Sequence, residues 1–135
     1  MKEKLKTISI IHLGLCAGLI FAYYFIGKDY FKEASFNDVS GMDYLYLFLP
    51  LIAYYLSQFL YQNQLKNLSS SQSEDEKFMI FQTASIMRWA IIEGCAFAIL
   101  FIAPQFIYLG VLLIVYLVII RPTESQINTV LNSRN

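Results

Sequence analysis

Apolar residues fill four stretches of the chain, 8–26, 44–61, 78–103 and 106–120, and polar residues gather between them and at the two ends. A bilayer's hydrocarbon core is roughly 30 Å thick and a helix rises about 1.5 Å per residue, so about 20 residues cross it. The pattern predicts an all-α fold, a four-transmembrane-helix bundle that forms a single integral membrane domain over residues 1–135. The expected helices cover about 4–27, 43–66, 74–103 and 105–121, followed by a polar tail, 122–135.

Local signals set the boundaries. Lys2, Lys4 and Lys6 make a basic start, but the apolar run behind them is too long for a signal-peptide core and no A-x-A site follows. The first helix is therefore read as retained, with Tyr23, Tyr24 and Phe25 as an aromatic anchor at a membrane surface and Gly27 as its stop. Loop 28–43 carries Asp29, Glu33, Asp38 and Asp43, with Asp43 expected to cap the second helix. Pro50 lies inside that helix and removes a backbone donor, which predicts a kink. After a polar Ser-rich turn at 67–73, Ser73-Glu74-Asp75-Glu76 reads as a capping box. Pro104-Gln105 predicts a tight turn, Arg121-Pro122 a stop, and 123–131 a short surface helix.

Composition supports lipid as the solvent. Hydrophobic residues make up 57% and charged residues 15%, with a mean hydropathy of +0.51. Soluble domains have about 45–50% and about 25%. The formal net charge of +0 offers no field for nucleic acid. Orientation follows from Lys and Arg near the helix ends. Lys2, Lys4, Lys6, Lys66, Lys77, Arg121 and Arg134 fall on one side, and Lys28 and Lys32 on the other. This places both termini in the cytoplasm, with the bacterial inner (plasma) membrane as the expected location.

The first and third helices align without a gap. Residues 9–14 lie over 85–90, and Gly18, Phe21, Ala22, Phe25 and Ile26 over Gly94, Phe97, Ala98, Phe101 and Ile102. The second and fourth match more weakly, through Tyr46, Leu47, Leu51, Ile52 and Tyr54 over Tyr108, Leu109, Leu113, Ile114 and Tyr116. Two tandem helical hairpins in a parallel repeat would produce this, as would chance matches between apolar segments. Gly14, Gly18 and Ala22, and likewise Ala90, Gly94 and Ala98, recur every fourth residue and let helix backbones approach closely. The favoured expectation is that the first and third helices pack along these stripes; association between protomers is the alternative.

The candidate intramembrane polar site comprises Glu93, Gln82, Arg88 and His12. A charged group at this depth costs several kcal/mol unless it is neutralised, paired or wet. Gln82, Trp89 and Glu93 fall within about 40° of one another on a helix, forming one narrow stripe. Glu93 is read either as a site for a proton or cation, or as a protonated carboxyl bonded within the bundle. Arg88 is turned about 140° from Glu93, so the two do not meet. It is read as snorkelling towards the cytoplasmic interface, to lipid phosphate or a helix end, with a carboxylate on another helix or protomer as the alternative. His12 is expected to hydrogen bond rather than bind metal. The tyrosines read as aromatic belts, with Tyr54, Tyr55, Tyr108 and Tyr116 also able to donate inside the bundle. Cys16 and Cys95 read as small hydrophobes.

No nucleophile elbow, phosphate loop or metal motif is present, so neither enzymatic activity nor a cofactor is expected. Ile91-Ile92-Glu93-Gly94-Cys95-Ala96-Phe97 resembles the carboxylate helix of rotary-ATPase ring proteolipids, whose carboxylate precedes a small residue and an apolar run. The resemblance implies an ion-binding role for Glu93. In that family the carboxylate lies on the second helix of a hairpin, and here it lies on the first. Small four-helix multidrug exporters are a second comparison, though their essential Glu lies in the first helix, where this chain has none. The chain as a whole resembles small four-helix integral membrane proteins of unassigned activity. Two functions are expected: a structural or accessory bundle that associates with itself or a larger complex, or a proton-, cation- or small-solute-translocating subunit using Glu93. Membrane lipid is the expected partner in both.

Overall fold

The computed structural model describes residues 2–33, 41 and 43–132. These are helical, with no strand among them: α1 (Lys2–Gly27), α2 (Tyr30–Glu33), α3 (Asp43–Leu47), α4 (Leu49–Leu65), α5 (Glu74–Ile102), a 3-10 turn (Pro104–Phe106), α6 (Ile107–Ile119) and α7 (Glu124–Leu131). Two of them, α1 and α5, are each long and apolar enough to cross a membrane, and α6 with its 3-10 turn joins that class only if α7, bent from it by 63°, belongs to the same span.

The chain runs up, down, up and down. Lys4 Nζ pairs with Asp75 at 2.9 Å, the His12 and Trp89 rings lie 4.7 Å apart, and the Tyr23 hydroxyl reaches Ala96 O, so α1 and α5 are parallel. Tyr46 lies against Phe106 and Tyr54 against Tyr116, so α3 and α4 run in the same direction as the 3-10 turn and α6. The start of α1, the start of α5 and the end of α6 thus share one end of the bundle. Helix α5 is the hub: it packs on α1, α4, α6 and α7. Its wholly buried residues include Phe81, Ala84, Trp89, Ile92, Ala96 and Ile99.

Several sequence expectations change here. The second helix is interrupted at Phe48, whose backbone stays in the right-handed helical region, and Pro50 sits in the first turn of α4, where its missing N–H would have no partner anyway. Helix α3 begins at Asp43, but capping by its side chain, like the loop position of Asp38 and the tail charge of Arg134, falls outside the described residues. Gly27 does not end α1 through a left-handed turn, since Gly41 alone among the described glycines has positive φ. The absent side chain at Gly27 instead admits Ile107, whose Cδ1 would stand 2.7 Å from an added Cβ. Tyr23 faces the core at 3% exposure, while Tyr24 and Phe25 face outward at 65% and 61%. The packing does not mirror the expected tandem hairpins: α5 and α6 pack closely, whereas α1 and α4 have at most marginal contact.

The capping box is present. Ser73 N donates to Glu76 Oε2 at 3.0 Å, and Glu76 N donates to Ser73 Oγ at 3.3 Å. Ser73→Ala is expected to cost about 1 kcal/mol, read as a lower melting temperature and faster amide exchange confined to the first turn of α5. The tail helix likewise forms, with Thr123 Oγ1 accepting from Gln126 N at 3.2 Å. Its Ile127 and Val130 are buried, and Lys77 Nζ donates to Leu131 O at 3.1 Å across the contact with α5.

Candidate functional site

The polar residues of the bundle divide into two groups on opposite flanks of α5. On the α1 flank, His12 is 7% exposed and its Nε2 lies 2.7 Å from Leu117 O, near the end of α6. A carbonyl only accepts, so Nε2 carries the proton and donates. Trp89 Nε1 donates to Ile120 O at 3.4 Å. The last carbonyls of a helix have no intrahelical donors. His12 and Trp89 therefore close the end of α6, and the hydrogen-bonding reading of His12 matches its position. Cys16 Sγ stands 3.6 Å from His12 Nε2. Among the described residues no group of three or more His, Cys, Asp or Glu is placed to hold a metal ion.

Glu93 sits near the middle of α5 on this same flank, close enough to Cys16 for electrostatic interaction. It is partly exposed and makes no hydrogen bond or ion pair within the described residues. Gln82 is also partly exposed and shares no bond with Glu93.

On the α4 flank, Arg88 is 6% exposed. Its guanidinium carbon lies 4.0 Å from the centre of the Tyr61 ring. It does not snorkel outward: α4 and α5 pack closely enough to enclose it, and the ring face attracts it. No acidic side chain among the described residues pairs with it, and its Nε has no hydrogen-bond partner. One turn earlier, Ser85 Oγ is fully buried and also without a partner. As the helical spacing predicted, Arg88 and Glu93 do not meet.

The small-residue stripes are corrected too. An added Cβ at Gly14, Gly18 or Gly94 would meet nothing within 4 Å. Ala90 is exposed, and Ala22 and Ala98 are half-buried. The stripes face out of the bundle; α1 instead meets α5 through His12 and Tyr23 and buries Ile8 and Leu19. The close approach occurs at Gly110, where a Cβ would overlap the Tyr23 hydroxyl and ring. That hydroxyl donates to Ala96 O at 2.5 Å, so one side chain joins α1, α5 and α6. Of the other tyrosines, Tyr108 donates to Phe31 O at 3.2 Å, and Tyr116 accepts from Gln58 Nε2 at 3.3 Å. Tyr55 points outward at 67% exposure. The sequence signal for Gly110 is a lone glycine in an otherwise bulky apolar run; Ser85 gave none. Compared with protein-family models, curated proteins and solved structures, the chain matches none.

Proposed function

We propose that this chain is a four-span integral membrane protein, with both termini cytoplasmic, that works as a structural or accessory bundle by associating with further copies of itself. The lipid setting is supported by large apolar side chains exposed on every long helix, including Leu13 and Phe21 on α1, Leu51 and Phe59 on α4, Phe101 on α5, and Leu112 and Ile119 on α6. The break at Phe48 leaves an open groove of about 870 Å³ lined by Leu45, Phe48, Ile52 and Leu56, with almost no polar surface for water. Soluble proteins rarely expose such patches, whereas acyl chains cover them without penalty. Helix α4, with no charged residue between 44 and 65, makes the second span. Helix α6 makes the fourth, its 13 residues covering about 20 Å and the 3-10 turn adding length.

One observation carries the association: Glu93, unpaired among the described residues, adjoins Gly94, whose missing side chain opens outward. Exposed helix backbone at Gly94 and Gly18 allows close approach by another helix, and a partner helix would also shield or bond the carboxyl. Crosslinking in native membranes is expected to trap oligomers of the wild type. Gly94→Leu and Gly18→Leu are expected to give monomer with an unchanged melting temperature, because the new side chains meet open space. Only monomer at every protein concentration would remove the association.

The same unpaired carboxyl supports a second reading, in which Glu93 handles a proton or cation for translocation. A hydrophobic carbodiimide is then expected to label Glu93, with protection by the cation or by raised pH. Glu93→Gln with unchanged fold, growth and transport would rule this reading out.

A further inference from the structure

We propose that Arg88 and Ser85 form a binding site for a phosphate group between α4 and α5, at the end of the bundle where α4 and α6 stop. The inference is independent of association and of Glu93. Arg88 is a permanent cation, nine-tenths buried, with neither a counter-charge nor a partner for Nε among the described residues. Ser85, three residues earlier and on a neighbouring line of the same helix, buries a hydroxyl with no partner. Two adjacent orphans on one face are uncommon, because buried polar groups are otherwise satisfied.

The surroundings offer donors. The Tyr61 and Tyr116 phenols are both within electrostatic reach of Arg88. Tyr116 accepts from Gln58, which leaves its own O–H free to donate. No acceptor among the described residues satisfies the guanidinium Nε, and Glu93 lies on the opposite flank. Guanidinium, serine hydroxyl and phenol together call for a ligand that only accepts and carries negative charge. A phosphate presents several such oxygens in a geometry that matches the guanidinium fork.

Tyr61 stands in the last turn of α4, and Trp89, next to Arg88, reaches the carbonyl just beyond α6. Arg88 thus lies level with the end of α6 and about one turn from the end of α4, at the midpoint of α5. A phospholipid headgroup inserted between α4 and α5 and a soluble phosphate from the adjoining aqueous side present the same chemistry.

Trp89 is the one tryptophan and reports on the site by fluorescence. The full-length protein in a neutral sugar detergent is titrated with inorganic phosphate and, separately, with short-chain phosphatidylglycerol. A saturable emission change is expected with at least one of them. Arg88→Gln should weaken it about tenfold or more, in line with loss of a charged hydrogen bond. A response to the lipid alone assigns the headgroup as the source; a response to both assigns a site open to free phosphate. Ser85→Ala keeps the test decisive if Arg88→Gln fails to fold. Removing an unpartnered hydroxyl should leave the ligand-free melting temperature equal or higher, while weakening the titration severalfold. No response to either ligand in the folded wild type would overturn the proposal. So would a titration that neither substitution alters.

Discussion

Trp89→Ala is expected to lower the stability of the purified protein by about 3–5 kcal/mol, the usual cost of emptying a buried tryptophan site. Trp89 is wholly buried, at 0% exposure, on the hub helix. Its ring packs against His12 and its Nε1 donates to Ile120 O. The substitution therefore opens a cavity where α1, α5 and α6 meet and also leaves a helix-end carbonyl without its donor. Trp89→Phe separates the two effects: it keeps most of the volume, and should cost about 1 kcal/mol more than packing alone explains, for the lost hydrogen bond. His12→Leu removes the companion bond to Leu117 O. Reversible unfolding in mixed micelles measures all three. Amide exchange should show the last turn of α6 opening first in each. A neutral Trp89→Ala would mean that α6 is not held at this end by α1 and α5.

Gly110→Val should cost about 2–4 kcal/mol, combining overpacking with a lost hydrogen bond. The new side chain occupies the space of the Tyr23 hydroxyl and ring, so Tyr23 must leave Ala96 O. Gly27→Ala is the informative contrast. Its Cβ meets the ends of Ile107 and Leu100, at 2.7 and 3.2 Å, and flexible side-chain ends can shift where a ring anchored by its hydroxyl cannot. The expected order of melting temperatures is wild type, Gly27→Ala, Gly110→Val. Tyr23→Phe added to Gly110→Ala should recover part of the loss by deleting the atom nearest the new methyl. Equal melting temperatures for wild type and Gly110→Val would show that α6 does not press on Tyr23.

Element positions were largely legible because apolar length and capping chemistry are local. The capping box at Ser73 and Glu76 formed as read, and α5 ends within a residue of its expected limit. Which face of each helix turns inward was not legible. Water sorts polar from apolar faces, but these helices carry apolar side chains on both, so a stripe such as Ala90, Gly94 and Ala98 reads the same inside or out. The inward faces are instead marked by polar side chains that must find partners, His12, Tyr23 and Arg88, and by Gly110, where bulk is excluded. The break at Phe48 was misplaced for a different reason. Proline costs nothing in a first helical turn, so Pro50 signals a boundary as readily as a kink.

The central position of α5 has a consequence for synthesis. The ribosome delivers α1 and α4 first, and those two share at most marginal contact. Neither has an extensive protein surface to settle against until α5 follows them. The first half of the chain therefore waits as separate rods, and the late arrival of α5 is the event that gathers them into one body.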